Sequence, residues 1–204
     1  MNFGELKTSI RRYLKRTDLD DIIPDWVEFA QRRIDTELRL PEQEFRTTTT
    51  ANLKFLPLPL DWIEMRHVQV VFDGDFALQY LTPEQLDNAG RLLKGDSPNP
   101  IQFYTIMNNQ IELVPAPSAD TEVQIEMFYY AREPVLVNDN DITKVLNRYP
   151  QLYIYAVMVE AMPFLEYQAG QASWQSMFNE MVVILNNRAQ AGRFSGNSMQ
   201  MRAV

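Results

Sequence analysis

The chain has 204 residues, 46% of them hydrophobic and 23% charged, with no cysteine, one histidine and a formal net charge of −8. That length supports a real core, in one domain or two small ones. The absence of thiols excludes disulfide frameworks and thiolate metal sites, and a single histidine, His67, leaves no His-rich zinc site and makes a Ser-His-Asp engine a poor reading.

From the N-terminus, Phe3, Leu6, Ile10, Tyr13 and Leu14 recur at helical spacing, which predicts an amphipathic helix over residues 3–15. Its other face carries Lys7, Arg11, Arg12, Lys15 and Arg16. A solvated basic face is the ordinary reading of such a run, and contact with an acidic neighbouring subunit is the sharper one. Thr17-Asp-Leu-Asp-Asp21 lacks the glycine and closing glutamate of a calcium loop and reads as an acidic lead-in to a helix. That helix opens at Pro24, sets Trp26, Phe29, Ala30, Ile34 and Leu38 on one side, and stops before Pro41.

From Glu42 the period changes. Phe45 to Thr50 is extended and β-branched, and Leu56-Pro-Leu-Pro-Leu60 is a stiff connection. Met65 to Phe72 and Phe76 to Leu81 read as two strands joined by Asp73-Gly74-Asp75. Thr82-Pro-Glu-Gln85 has capping-box spacing and opens a helix to about Leu93, followed by a polar loop over residues 94–100. A second hairpin runs Ile101 to Met107, turns at Asn108-Asn109, and returns over Gln110 to Val114. Glu122 to Tyr130 alternates as one more strand, Asn138 to Asp141 reads as a turn, and a short helix is expected near Ile142 to Leu146.

Residues 150–165 are apolar almost all round, broken by Glu160 and Pro163, as in a helix buried by other helices. A second, amphipathic helix is expected from about Ala172 to Arg188, with Trp174, Met177, Phe178, Met181, Val182 and Leu185 on one face. The whole reads as α+β: a helical bundle formed by residues 1–41 and 142–192, a β-rich insertion over 42–141, and an extended tail over 193–204. Residues 1–50 hold nine basic and ten acidic side chains, 51–150 seven and fourteen, and 151–204 three and three. A folded module as acidic as that middle segment repels a nucleic-acid backbone.

The search for chemistry comes back thin. The chain has no G-x-S-x-G, P-loop, G-x-G-x-x-G or H-E-x-x-H, and seven glycines leave little for a phosphate-cradling loop. His67 has no partner placed for it by spacing, so it reads as a packed or surface histidine. The expectation is a protein that is no enzyme and holds no cofactor or metal. The start, Met1-Asn-Phe-Gly-Glu5, lacks a signal-peptide pattern, and residues 152–165 are too short for a membrane span, so a chain that stays where it is made, with no membrane partner, is expected.

Several phrases together resemble a known family. They are Pro24-Asp-Trp-Val-Glu-Phe-Ala-Gln-Arg-Arg-Ile-Asp-Thr-Glu-Leu-Arg-Leu40, Leu58-Pro-Leu-Asp-Trp-Ile-Glu-Met-Arg66 and Tyr80-Leu-Thr-Pro-Glu-Gln85, then Tyr104-Thr-Ile106 with Ile111-Glu-Leu-Val-Pro-Ala-Pro117. Met127-Phe-Tyr-Tyr130, Tyr149-Pro-Gln-Leu-Tyr-Ile-Tyr155 and Arg193-Phe-Ser-Gly196 complete the series. In this order they are similar to the head-to-tail adaptor (connector) proteins of tailed bacteriophages, also called tail tubular protein A or head completion proteins. The resemblance implies a structural virion protein at the head–tail interface, made and assembled in the host cytoplasm. It implies a ring below the portal, with the portal's dodecameric symmetry, around the channel through which packaged DNA leaves without sequence-specific binding. The partners implied are the portal protein, a tail hub or nozzle protein, and further copies of the chain. The tail would dock on the portal through Arg193, Phe194, Ser195, Gly196, Met199, Met201 and Arg202, and the basic face at Lys7, Arg11, Arg12, Lys15 and Arg16 would contact the next subunit. The rival reading is a non-viral accessory module that binds a ligand or partner through the β-rich insertion.

Overall fold

The computed structural model describes residues 1–71, 76–93, 101–117 and 122–194. Among them are six helices: α1 (Phe3–Leu14), α2 (Ile23–Glu37), α3 (Pro83–Leu92), α4 (Lys144–Arg148), α5 (Pro150–Phe164) and α6 (Gln168–Phe194). The strands are β1 (Glu44–Ala51), β2 (Phe55–Pro57), β3 (Trp62–Val71), β4 (Phe76–Ala77), β5 (Gln79–Tyr80), β6 (Phe103–Met107), β7 (Gln110–Val114) and β8 (Val123–Ala131). The architecture is mixed α+β with helices at both ends, as the period changes imply. The chain divides into two compact units, Met1–Gln43 with Arg132–Val204, and Glu44–Ala131. The stretch 132–141, expected with the insertion, falls in the helical unit.

The helical unit is built round α5. Its residues from Leu152 to Met162 are buried on nearly every side, and it packs against α1, α2, α4 and α6. A helix with no polar face needs neighbours all round, and these four supply them. Asn2 caps α1 in a reciprocal box: its side chain accepts from the Glu5 backbone N–H at 2.8 Å, and the Glu5 carboxylate accepts from the Asn2 N–H at 3.0 Å. The helix then buries Phe3, Leu6 and Ile10.

In α2 the buried stripe is Ile23, Trp26, Val27, Ala30 and Ile34. Phe29, expected on that side, is 51% exposed. At ~100° per residue it lies about 120° round the helix from the centre of the stripe. The last helix, α6, is longer than the apolar spacing suggests, running straight through Gly170 and Gly192. Its buried line, Phe178, Val182, Leu185 and Ala189, is a regular 3.6-residue stripe.

Among the described residues the β unit has two four-stranded sheets, in the orders β1-β8-β3-β4 and β2-β7-β6-β5. All pairings are antiparallel except β5 with β6. Inward residues of both sheets, among them Val68, Val70, Ile111, Leu113, Ile125 and Met127, form one apolar core. The β6–β7 hairpin turns where the sequence places it, with Asn108 and Asn109 at φ 49° and 58°. Two consecutive left-handed residues suit a tight hairpin, and asparagine tolerates that conformation better than most side chains. Phe76 to Leu81 is not one strand: Phe76–Ala77 pairs with β3 in the first sheet and Gln79–Tyr80 with β6 in the second. Leu78, buried between them, is where the chain changes sheet. The expected Asp73-Gly74-Asp75 turn and the 94–100 loop lie outside the described residues.

Candidate functional site

The basic face of α1 is largely answered within its own unit. Lys7 Nζ lies 2.5 Å from Asp139 Oδ1 and 4.7 Å from the centre of the Phe3 ring. Arg11 Nε donates to Asp20 Oδ1 at 2.5 Å, and Arg16 pairs with Asp18, holding that carboxyl below the usual carboxylate range. Arg12 and Lys15 are exposed and have no ion pair among the described residues. Lys15 closes the helix in a left-handed conformation at φ 52°, its N–H bonded to the Arg11 carbonyl. Ion pairs as open to solvent as Arg11–Asp20 and Arg16–Asp18 are weak, so this part of the face can exchange partners at little cost. The acidic run at residues 18–21 thus supplies one partner to α1, at Arg11, and one to Arg16 just beyond its C-cap, as well as leading into α2.

Asp141 organises the turn that abuts α1. Its Oδ2 accepts from the Val137 and Asn138 backbone N–H groups at 2.8 and 2.7 Å, and these bonds lower the carboxyl's pKa. The Asp141 and Asp139 carbonyls in turn accept from Phe3 and Gly4 N–H, both at 2.9 Å. The residues 138–141 are a turn, as expected. Among the described residues no group of three or more His, Asp and Glu side chains is placed to hold a metal.

For the proposed docking segment, Arg193 and Phe194 belong to the last turn of α6 and are not the start of an extended tail. Ser195, Gly196, Met199, Met201 and Arg202 lie outside the described residues.

In the β unit, sequence spacing missed a polar ladder on the outer face of the first sheet. Arg46 on β1 forms a two-pronged pair with Glu126 on β8, and Gln69 Nε2 on β3 donates to Glu126 Oε2 at 2.6 Å. His67 Nε2 lies 3.2 Å from Gln69 Oε1, and the Phe128 ring sits between the Arg46 guanidinium, at 4.4 Å, and the His67 ring, at 6.0 Å. Glu126 is only 8% exposed, and hydrogen bonding from Arg46 lowers its pKa. The one signal in the sequence was the i, i+2 spacing of His67 and Gln69, which puts both on one strand face. This arrangement fixes a carboxylate on the sheet face.

A concavity of about 410 Å³ in the same unit lies between α3 and β7 and includes Lys54, Asp87, Arg91 and Glu112. Lys54 Nζ is 2.5 Å from Glu112 Oε1. Its described lining includes no histidine and no hydroxyl side chain. Residues 44–131 carry five basic and twelve acidic side chains. Of the five, Arg46, Lys54 and Arg66 are each ion-paired inside the unit, Arg66 with Glu44 at 2.5 Å.

The family model described as SU10 adaptor protein matches residues 1–202, and the chain belongs to that family. It is a family of phage adaptors, structural rather than enzymatic, which makes the chain a virion component and agrees with the resemblance in its sequence. No curated protein matches the chain. Among the described residues no helix is long and apolar enough to cross a membrane.

Proposed function

We propose that the chain forms a closed, dodecameric ring below the portal, joins the portal vertex to the tail, and surrounds the channel through which DNA leaves. The observation that carries this reading is the segregation of charge. Nearly all of the net −8 belongs to residues 44–131, where three of five cations are already tied to acids of the same unit. A surface with that uncompensated excess repels phosphate and lets a duplex pass without adhering. The helical unit, close to neutral, is free of that repulsion. Residues 195–204, with Met199 and Met201 as apolar anchors and Arg202 as a charge contact, reach the portal. The β unit meets the tail hub or nozzle, and the ring is put together in the host cytoplasm.

The test is the mass of the complex formed with the purified portal ring, using the full chain and a version ending at Phe194. One added copy per portal subunit for the full chain and none for the shortened one is the expected result. Equal binding by both removes the tail from the docking role, and binding by neither overturns the adaptor geometry.

A further inference from the structure

Among the described residues, three of the four edges of the two sheets are short. The second sheet ends in β2, three residues closing on Pro57, and in β5, two residues; the first sheet ends on one side in β4, two residues. Short edges and proline are the usual ways of keeping an edge from recruiting another strand. The fourth edge, β1, is different: eight residues in unbroken register with β8, with no proline and no lysine. Among the described residues no strand lies on its other side. Its central run, Thr47, Thr48, Thr49 and Thr50, carries no charge, in a unit that otherwise repels its own copies. At its start Phe45 is 48% exposed beside Tyr129, with ring centres 5.8 Å apart.

The opposite side of the same sheet is also incomplete. β3 runs from Trp62 to Val71, but β4 pairs only with Gln69 and Val70. Ahead of that pairing, β3's edge away from β8 carries no strand among the described residues.

We propose that a second copy of this chain occupies the β1 edge at Thr47–Thr50 with the uncovered stretch of its own β3, so that the sheet continues from copy to copy. Two different open edges at opposite ends of one sheet make a head-to-tail contact, the kind that closes into a ring. β1 and β3 both run antiparallel to β8, so they point the same way, and copies related by rotation about a ring axis meet there as parallel strands. The uncharged threonine run is where two acidic units can approach without like charges meeting, and strand addition would cover Phe45. This inference rests on the ring reading above and names the contact that closes it.

The test is the mass of the assembly formed by the full chain on the purified portal ring, for wild type and two variants at the exposed side chains Thr48 and Thr50. Thr48→Lys with Thr50→Lys charges the edge, as natural edges are charged against pairing. Thr48→Ala with Thr50→Ala leaves it neutral. The expected result is a full ring for wild type and the alanine variant and at least a tenfold loss of assembled copies for the lysine variant, with thermal melting of all three unchanged. A full ring from the lysine variant overturns this contact while leaving the ring reading intact. Failure of wild type to form any ring overturns both. A wild-type particle of two copies, lost in the lysine variant, also overturns the proposal, since it shows β1 pairing with β1 about a two-fold axis.

Discussion

Arg33 on α2 reaches Glu160 on α5 with Nε and Nη2, at 2.7 and 2.6 Å from the same carboxylate oxygen. Glu160 is the polar interruption in an otherwise apolar helix, and this contact explains it. Both side chains are less than one-third exposed, so the pair is shielded more than a surface bridge but not fully desolvated. The Arg33 guanidinium also stands 5.9 Å from the centre of the Phe178 ring, which links α2 to the inward face of α6.

Removing either partner should therefore destabilise the helical unit beyond the surface norm. Glu160→Ala and Arg33→Ala are each expected to cost about 1–3 kcal/mol, with a coupling of about 1 kcal/mol in the double variant. Urea unfolding of the four proteins measures this. A coupling near zero would show that the two side chains stabilise independently, through packing alone.

Asp35 gives the clearest pH dependence. Burial pushes its carboxyl up to about 6, against the opposing pull of the Glu133 backbone N–H and of Arg132, with the Glu133 charge adding to the rise. The Gln43 amide donates to it at 3.4 Å. A raised carboxyl means the folded chain holds a proton that the unfolded chain has released, so stability falls as pH rises from about 4 to about 6 and stays lower above that. Asp35→Asn removes the penalty. It should stabilise the unit by about 1–2 kcal/mol at pH 7.5, after discounting for partial solvent screening, and by nothing below pH 4. Denaturant midpoints at the two pH values decide it, and an equal effect at both would mean that ionisation is not the cause.

Where a local rule decides the structure, the sequence was legible. Thr82 and Gln85 form the reciprocal cap their spacing announces, at 3.4 and 3.1 Å, and Asn108-Asn109 makes the tight turn. The all-round apolarity of α5 translated directly into a central position. What stayed hidden was set by contacts distant in the chain. Nothing near Leu78 says that the strand before it joins one sheet and the strand after it the other. Apolar spacing predicts α6 only from about Ala172 to Arg188, yet the helix runs on through Gly170 and Gly192. A mid-helix glycine costs only ~1 kcal/mol, and the buried line from Phe178 to Ala189 outweighs it. The α1 cations were legible as a face, but their partners at positions 18, 20 and 139 were not, because only the folded chain brings Asp139 beside Lys7.

Phe178 tests how far α6 depends on that buried line. The ring is fully buried and belongs to the core shared with α5. Phe178→Ala should cost about 3–5 kcal/mol, through lost burial and an incompletely collapsed cavity. Thermal melting with helical circular dichroism should show a lowered midpoint. A loss under 1 kcal/mol would place α6 outside the cooperative core of its unit.

Among the described glycines, Gly170 has the least room. A Cβ built there falls 2.2 Å from Tyr167 Cδ1, 2.3 Å from its Cε1, and 3.1 Å from Met162 Sδ. Glycine in a helix ordinarily gives up about 0.5–1 kcal/mol to alanine. Here that gain is opposed by the need to displace the Tyr167 ring, which is 60% exposed. Gly170→Ala alone should destabilise the chain by about 1 kcal/mol, in the range of overpacking effects. In a Tyr167→Ala background the same substitution should stabilise it by about 0.5–1 kcal/mol, the plain helix-propensity gain. Urea midpoints of the four proteins report the reversal. If alanine at 170 has the same sign in both backgrounds, the ring yields without cost and the glycine has another reason to be there.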